Sequence, residues 1–346
     1  MLWRAPRTLS LLLAALLVGC GGASAPDAGG ADAGTTDAPP ADAQGLDAAL
    51  DAAVPGDAGE DAGDLDAAIS DASDAGALDS GTPPGTVLMR VVAANLTSGN
   101  GQDYDRGHGL RILDGLNPDV VLIQELNYGS NAPQTLRRMV DTTFGAEFSY
   151  YRAETGNLPN GVISRWPILD SGTWADDEVG NRGFSWARID VPGPTDLWAV
   201  SLHLLTANGG VRTREANQLV DYIEANVPAG DYLVVGGDLN TNTRSEGAVG
   251  ALRQVVSTTY VPVDRDGNDG TNASRSKPYD WVMPDLDLEA HHTPVRIADQ
   301  DFPAGLVFDT RVFTPISAVP PAQLEDSDAP QMQHMAVVRD FLLPAP

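Results

Sequence analysis

The chain has 346 residues and a formal net charge of −27 at pH 7, with 48 acidic against 21 basic residues. This acidic balance excludes a long-range electrostatic surface for nucleic acid or anionic lipid, although a bound cation could still attract phosphate locally. Cys20 is the single cysteine. No internal disulfide is possible, so the folded part must be stabilised by its core alone.

Residues 1–20 have the pattern of an export signal. A positively charged start precedes an apolar run over 9–18, which is too short to span a membrane but typical of a secretory signal. The run ends in Leu17-Val18-Gly19-Cys20, which resembles a bacterial lipobox, in which the cysteine is acylated and becomes the new N-terminus. This predicts lipidation of Cys20 and, because Gly21 follows it, an anchor in the outer membrane or at the cell surface. An ordinary signal peptide cleaved nearby is the alternative.

Residues 21–86 form a low-complexity segment in which Asp-Ala recurs and aromatic residues are absent. Such a segment cannot bury enough surface to offset its chain entropy, so we expect a disordered tether. A flexible coil of this length reaches about 45 Å, which would hold the rest of the protein off a membrane. A calcium-binding repeat array is the alternative, but no glycine-rich repeat of fixed period supports it.

Residues 87–346 have the pattern of one folded domain. Apolar runs predict strands, and amphipathic spacing predicts helices. In chain order the predicted elements are a strand over 87–96, a helix over 106–116, a strand over 119–123, a helix over 133–142, strands over 147–152, 161–164, 184–189 and 197–204, a helix over 212–226, and strands over 232–235, 280–283 and 335–342. Many strands are apolar on both faces, which predicts a layered α/β domain of about 260 residues with helices covering the sheets.

Polar side chains of similar chemistry mark the ends of these apolar strands. They are Asn95, Glu125, His203, Asp238, Asn240, Asp280 and His334. Strand ends in an α/β scaffold can direct rigidly held side chains into one crevice. Any one of these residues alone would more often be a cap, a turn former or a surface group, but the set predicts a site. Carboxylate and amide oxygens are ligands suited to Mg²⁺, Mn²⁺ or Ca²⁺, and such a cation can polarise a phosphoryl oxygen.

Six segments, in this order, resemble the endonuclease/exonuclease/phosphatase superfamily. They are residues 90–95, 119–125, 160–167, 201–203, 236–240 and 279–281. The resemblance extends from residue 87 to 342. It implies an α/β four-layer sandwich, in which two mixed β-sheets pack face to face with helices on the outside. Members of this superfamily include pancreatic-type deoxyribonucleases, abasic-site endonucleases, sphingomyelinases and inositol-phosphate phosphatases.

The resemblance implies a metal ligand and a base among these residues. Glu125 would be the main metal ligand, and Asn95 would assist it. Asp238 would align or deprotonate the attacking water, with Asn240 orienting that water. The implied cofactor is a divalent metal, Mg²⁺ first, with Mn²⁺ and Ca²⁺ as alternatives.

The resemblance also implies contacts with the substrate. His334, polarised by Asp280, would contact the phosphate, and His203 would hydrogen-bond the phosphate or act as an acid near the leaving group. Asn160 and Arg214 are further candidates for substrate binding. Anchoring the helix to the sheet explains Arg214 equally well.

One position departs from the pattern of the superfamily. An aspartate usually comes directly before the last histidine, where this chain has Gln333. A neutral amide is a weaker metal ligand, so the sequence leaves open whether one or two metal ions bind. Asp326 and Asp328 lie close by in the sequence and could compensate.

Together these features predict an exported, membrane-tethered, metal-dependent phosphoesterase that hydrolyses phosphodiester bonds, with an extracellular nuclease as the first expectation. The substrate would be nucleic acid or a phospholipid head group, the lipid anchor would be the only membrane contact, and we expect a monomer. A sphingomyelinase-like enzyme or a small-molecule phosphatase is the alternative, and it predicts an exposed aromatic surface or a closed pocket. A non-catalytic surface binding lipoprotein is the alternative from another class, and Gln333 supports it.

Overall fold

The computed structural model describes residues 83–96, 107–330 and 332–345. The predicted signal peptide, the lipidation site Cys20 and the predicted tether up to residue 82 lie outside these residues, so all three stay predictions. Among the described residues, no helix combines the length and the apolar character needed to cross a membrane.

Strands dominate the described part of the chain. The strands are β1 (Thr86–Asn95), β2 (Val120–Gln124), β3 (Ser149–Arg152), β4 (Gly161–Ser164), β5 (Ile168–Ala175), β6 (Gly183–Ile189), β7 (Leu197–His203), β8 (Tyr232–Asp238), β9 (Asp280–Pro284), β10 (His292–Thr293), β11 (Val295–Ile297), β12 (Gln300–Phe302), β13 (Leu306–Phe308) and β14 (Ala336–Pro344). The α-helices are α1 (His108–Leu116), α2 (Pro133–Thr143), α3 (Gly209–Asn226), α4 (Gly247–Leu252) and α5 (Leu286–Glu289).

Each element predicted from the sequence is present, with ends displaced by a few residues. The sequence does not predict β5, the short strands β10 to β13, or the short helices α4 and α5. β5 lies at the edge of a sheet, and its side chains are half-buried or exposed. An edge strand of this kind carries no long apolar run, which is the signal that identifies the central strands.

The strands form two mixed sheets and a separate two-stranded ribbon of β11 and β12. The larger sheet has seven strands in the order β10-β14-β1-β2-β4-β3, with β13 also paired to β14. The smaller sheet has five strands in the order β5-β6-β7-β8-β9. The neighbours β1 and β2 run parallel, as do β7 and β8, whereas β9 runs antiparallel to β8.

Three hydrophobic clusters define the layers. The inner cluster joins the facing sides of the two sheets through buried residues such as Val91 of β1 and Val234 of β8. A second cluster packs α1 and α2 on the outer face of the larger sheet, and a third packs α3 and α4 on the outer face of the smaller sheet. The order helix, sheet, sheet, helix confirms the predicted four-layer α/β sandwich.

Glycines allow the two sheets to approach closely beside the polar strand ends. A Cβ on Gly236 would lie 2.8 Å from Leu122 Cδ1, and a Cβ on Gly237 would overlap the carbonyl oxygen of Leu202. Gly237 also has a φ of 129°, a conformation that side chains other than glycine rarely adopt. The Gly236-Gly237 pair therefore lets the end of β8 lie directly beside the end of β2.

Candidate active site

The predicted site residues meet where the polar ends of the strands converge. Because β1 and β2 run parallel, Asn95 at the end of β1 and Glu125 just after β2 emerge at the same edge of the larger sheet. In the smaller sheet Asp238 pairs in register with His203 on one side and with Asp280 on the other. The topology therefore brings residues that are far apart in the sequence into one cluster.

Asp238 is the centre of this cluster. Its Oδ2 accepts hydrogen bonds from Asn95 Nδ2 (3.0 Å) and Asn240 Nδ2 (3.1 Å), and its Oδ1 accepts one from the backbone N–H of Asn240 (2.8 Å). Asn240 can make both contacts because its backbone is left-handed, with a φ of 51°. Burial raises the pKa of Asp238 to about 7. A carboxyl group with a pKa near neutrality is suited to accept a proton from water.

His334 and Asp280 form a buried ion pair beside Asp238. His334 Nδ1 lies 3.0 Å from Asp280 Oδ2, and Nε2 lies 3.7 Å from Asp238 Oδ2. Burial alone would lower the pKa of His334, but the carboxylates of Asp280 and Asp238 outweigh it and raise the pKa to about 9. The imidazolium form is therefore favoured at neutral pH, with Nδ1–H donated to Asp280 and Nε2–H on the side of Asp238.

The pKa of His203 is shifted in the opposite direction to that of His334. Its Nε2 lies 3.2 Å from Asp238 Oδ2, and Nδ1 lies 3.8 Å from Glu125 Oε1. Burial, together with the positive charges of Arg182 and His334, lowers the pKa of His203 well below its usual value. A neutral His203 that donates Nε2–H to Asp238 has an acceptor lone pair on Nδ1.

Glu125 forms the more open side of the cluster. Its side chain is 13% exposed, whereas that of Asp238 is 1% exposed. Its φ of 54° is unusual for a residue other than glycine, and strained backbone of this kind is often found at functional sites. Asn95 Nδ2 lies 3.3 Å from Glu125 Oε1, so the residues predicted to hold the metal are in contact.

The donor set fits a hard divalent cation. Glu125, Asp238 and Asp280 contribute carboxylates, and Asp280 Oδ1 is buried without a hydrogen-bond partner among the described residues. Asp238, Asp280 and His334 have ligand atoms within 4.8 Å of one another. The Glu125 side fits a cation better, because an imidazolium that already pairs with two carboxylates is a poor ligand.

Asn160 lies at the same edge of the larger sheet, and Arg214 does not join the cluster. Asn160 is fully buried, and its Nδ2 donates to the carbonyl oxygen of Gly183 (2.7 Å), so it ties β4 to β6. The side chain of Arg214 is 58% exposed and pairs with Glu178. These contacts place Arg214 on the solvent side of α3 rather than among the polar strand ends.

The residues around the last histidine do not replace the missing aspartate. Gln333 is exposed beside the buried His334. Asp326 pairs with Arg111 and His108, and Asp328 pairs with Arg311. Both aspartates are thus occupied by cations, so the sequence-based suggestion that they compensate for Gln333 finds no support here.

Sequence analysis does not identify three charged residues that adjoin the cluster: Arg182, Asp176 and Glu215. Arg182 lies just before β6, and its charge acts on Asp238 and Glu125. Asp176 follows β5, and the fully buried Glu215 is on α3. Glu215 was detectable, since it lies four residues before Leu219 on the apolar face of the predicted helix. Asp176 and Arg182 lie in a connecting loop with no periodic signal.

Comparison with known families agrees with this architecture. The model of the endonuclease/exonuclease/phosphatase family matches residues 101–295, more than half of the chain. The chain therefore belongs to the endonuclease/exonuclease/phosphatase family, whose members are hydrolases that act on phosphoester bonds and typically use divalent metals. The match includes Glu125, Asp238 and Asp280, and it ends before His334.

Solved structures of the same family share the fold at low sequence identity. An endonuclease/exonuclease/phosphatase from Beutenbergia cavernae is 16% identical, with a TM-score of 0.51, and the alignment covers 75% of this chain and 72% of that one. A family protein from Bacteroides thetaiotaomicron is 14% identical (TM-score 0.50; coverage 75% and 98%). One from Bacteroides vulgatus is 18% identical (TM-score 0.50; coverage 75% and 99%). A comparison with curated protein sequences finds no match.

Proposed function

We propose that this protein is an exported, membrane-tethered, metal-dependent phosphodiesterase, and that nucleic acid outside the cell is its first candidate substrate. The observation that carries the proposal is the Asp238 cluster, in which a carboxyl group with a pKa of about 7 lies between a neutral and a charged histidine. Neighbouring groups whose pKa values are shifted in different directions are typical of a site that moves protons near neutral pH.

In the proposed reaction, water attacks phosphorus in line with the leaving oxygen, the bond between phosphorus and that oxygen breaks, and the leaving oxygen takes a proton from solvent water. Asp238 accepts the proton of that water, and Asn240 and Asn95 hold its carboxylate in place through their amide N–H groups. The Nε2–H of His334 contacts a phosphoryl oxygen, while Asp280 holds the imidazolium through Nδ1. Bound at Glu125 and Asn95, a divalent cation would neutralise charge on the phosphoryl group.

The contacts of His203 favour a role in orienting Asp238 over a role as an acid near the leaving group. A histidine with a lowered pKa is neutral at pH 7, and its Nε2 already contacts Asp238. We therefore propose that His203 fixes the direction of the Asp238 carboxylate.

The surface supports a soluble phosphodiester over a phospholipid in a membrane. Among the described residues, the large hydrophobic side chains that are exposed are Leu169, Tyr260, Leu286 and Leu324. Trp198 is buried, and the half-buried Trp186 stacks between Trp174 (5.6 Å) and Trp198 (5.1 Å).

The first test is hydrolysis of bis-p-nitrophenyl phosphate, plasmid DNA, RNA and sphingomyelin, each with Mg²⁺, Mn²⁺, Ca²⁺ or EDTA. We expect turnover that requires metal, with DNA or RNA preferred to sphingomyelin. Replacement of Glu125 with Gln should weaken Mn²⁺ binding in titration calorimetry by at least about tenfold and remove most turnover. A folded protein that hydrolyses none of these substrates with any metal would favour the binding-lipoprotein alternative.

Export and anchoring need a separate test. We expect the full-length protein to incorporate labelled fatty acid in a bacterial host and to fractionate with membranes. The Cys20→Ser variant should lose the label. An unlabelled wild-type protein would leave an ordinary signal peptide as the explanation of residues 1–20.

A further inference from the structure

We propose that Thr271 is a positioning residue for the His334–Asp280 pair, because its hydroxyl and carbonyl groups fix the two chain segments that carry these side chains. The inference rests on the proposed phosphoesterase function, in which Nε2–H of His334 contacts a phosphoryl oxygen. Thr271 lies in the connection between α4 and β9, outside the six segments that resemble the superfamily.

The two members of the pair belong to different sheets. Asp280 begins β9 of the smaller sheet, whereas His334 lies just before β14 of the larger sheet. Asp280 Oδ2 lies 3.0 Å from His334 Nδ1, while Asp280 Oδ1 is buried without a hydrogen-bond partner among the described residues. Strand pairing within one sheet therefore does not set the distance between these side chains, and a link between the two segments has to set it.

Thr271 contacts both segments directly. Its Oγ1 accepts the backbone N–H of Asp280 (2.7 Å), and its carbonyl oxygen accepts the backbone N–H of Met335 (2.7 Å), the residue after His334. The next residue, Asn272, forms an antiparallel β-bridge with His334. Thr271 is fully buried, and a hydrogen bond in such surroundings is stronger than one exposed to water. One residue thus joins the start of β9 to the backbone around His334.

A tight loop fixes the backbone of Thr271 itself. The N–H of Thr271 donates to the carbonyl oxygen of Lys277 (2.8 Å), and Asn272 Oδ1 accepts from the backbone N–H of Lys277 (3.0 Å). Arg275 has a left-handed backbone, with a φ of 57°, and its N–H donates to the carbonyl oxygen of Asn272 (2.8 Å). Residues 271–277 therefore form a loop closed by its own hydrogen bonds, with Thr271 at its base.

The side chain of Arg275 anchors this loop to the rest of the domain. Its Nε donates to the carbonyl oxygen of Gly270 (2.7 Å), Nη2 to Asp264 Oδ2 (2.6 Å) and Nη1 to Asp309 Oδ2 (2.5 Å). Both aspartates are buried, and removing one partner of a buried ion pair is strongly destabilising. Asp309 directly follows β13, which pairs with β14, so the guanidinium group joins the loop to the strand that follows His334.

The first test is a double-mutant cycle between Thr271 and His334, with the full-length protein, bis-p-nitrophenyl phosphate and Mn²⁺. Thr271→Val keeps the shape of the side chain but removes the acceptor for the Asp280 N–H. It should lower kcat/KM by about 10- to 100-fold, as expected when a catalytic group is misplaced. The same substitution in His334→Ala should leave kcat/KM nearly unchanged, because the group that Thr271 positions is already gone.

Two single variants make the test specific. Thr271→Ser keeps the hydroxyl that accepts from Asp280 and should recover most of the activity that Thr271→Val loses. The matched control is Ser274→Ala, which removes an exposed hydroxyl from the same loop and should leave kcat/KM unchanged.

The second measurement does not depend on turnover. In full-length protein with ¹⁵N-labelled histidine, the Nδ1–H that His334 donates to Asp280 should give a downfield proton NMR signal, which His334→Ala identifies. Thr271→Val should weaken this signal through faster exchange with water, whereas Ser274→Ala should not change it. Wild-type protein without turnover, but with a signal that depends on Thr271, would overturn the proposed function and support the positioning role.

Two results would overturn the inference. One is a folded Thr271→Val protein whose kcat/KM and imidazole signal match those of wild type. The other is an equal fold-loss from Thr271→Val in the wild-type and His334→Ala backgrounds, since this would indicate a general structural role. Thermal unfolding shows whether each variant is folded, and Arg275→Lys replaces Thr271→Val in the same cycle if that variant is not.

Discussion

The molecule buries two groups of carboxylates, and it stabilises them in different ways. Asp238 and Asp280 are surrounded by imidazoles and amides, whereas Asp176 and Glu215 accept hydrogen bonds from backbone N–H groups. Burial raises the pKa of both Asp238 and Glu215, to about 7 and about 8. The difference lies in their neighbours: Asp238 has imidazole and amide side chains as partners, while Glu215 accepts from the backbone N–H of Leu205.

The first way to break this comparison is to neutralise one aspartate in each group. Asp238→Asn should lower kcat by about 10²- to 10⁴-fold, because the proton acceptor is lost. Asp176→Asn should leave kcat much less affected, because the partners of Asp176 are the backbone N–H groups of Glu178 and Val179. Steady-state kinetics on bis-p-nitrophenyl phosphate with Mn²⁺ measure both values.

The exposed Asp299→Asn serves as the control for these two variants. Thermal unfolding should show that all three variants are folded before their kinetics are compared. Equal losses of kcat in Asp238→Asn and Asp176→Asn would show that the two groups do not differ in function.

Breaking the ion pair of Asp280 with His334 should lower activity less than Asp238→Asn does. In Asp280→Asn the pKa of His334 should fall from about 9, because the carboxylate that raises it is gone. The alkaline limb of the pH profile of kcat/KM should then move to lower pH, with a loss of about 10- to 100-fold at pH 8 and a smaller loss at pH 6. An NMR titration of the His334 imidazole measures the shift directly, and an unchanged alkaline limb would contradict the assignment.

The same ion pair affects stability in a defined pH range. Because the pKa of His334 is raised from 6.5 to about 9 in the folded state, its contribution is fully present below pH 6.5 and is lost as the pH rises through about 9. Wild-type protein should therefore lose more stability between pH 6 and pH 9 than Asp280→Asn. Denaturant unfolding at both pH values checks this expectation.

The sequence is sufficient to predict the strand ends but not their surroundings. Asn95, Glu125 and Asp238 each follow a continuous apolar run, and parallel pairing brings such ends to one edge of a sheet. Arg182 could not be found this way, since it lies in an irregular loop next to an edge strand. The sequence also does not predict that the pKa of His203 is lowered and that of His334 raised, because these shifts depend on which charged groups lie nearby in space.

The last prediction concerns the stability of the Asp176–Glu215 pair, and its expected effect is the smallest. Glu215 titrates near 4.5 in the unfolded chain and near 8 in the folded protein, because burial disfavours its charged form. The folded state thus holds a proton that the unfolded chain releases, so stability falls as the pH rises from about 4.5 to about 8. Glutamine at this position would still accept from Leu205 N–H, without titrating. The free energy of unfolding of Glu215→Gln should therefore rise by about 1–3 kcal/mol relative to that of wild type between pH 5 and pH 8, measured by denaturant unfolding.

The control is Glu224→Gln, an exposed change on the same helix, and its stability should follow the wild-type curve. If the curves of Glu215→Gln and wild type stay parallel, the folded protein does not hold a proton on Glu215 between pH 5 and pH 8, and the raised pKa is contradicted.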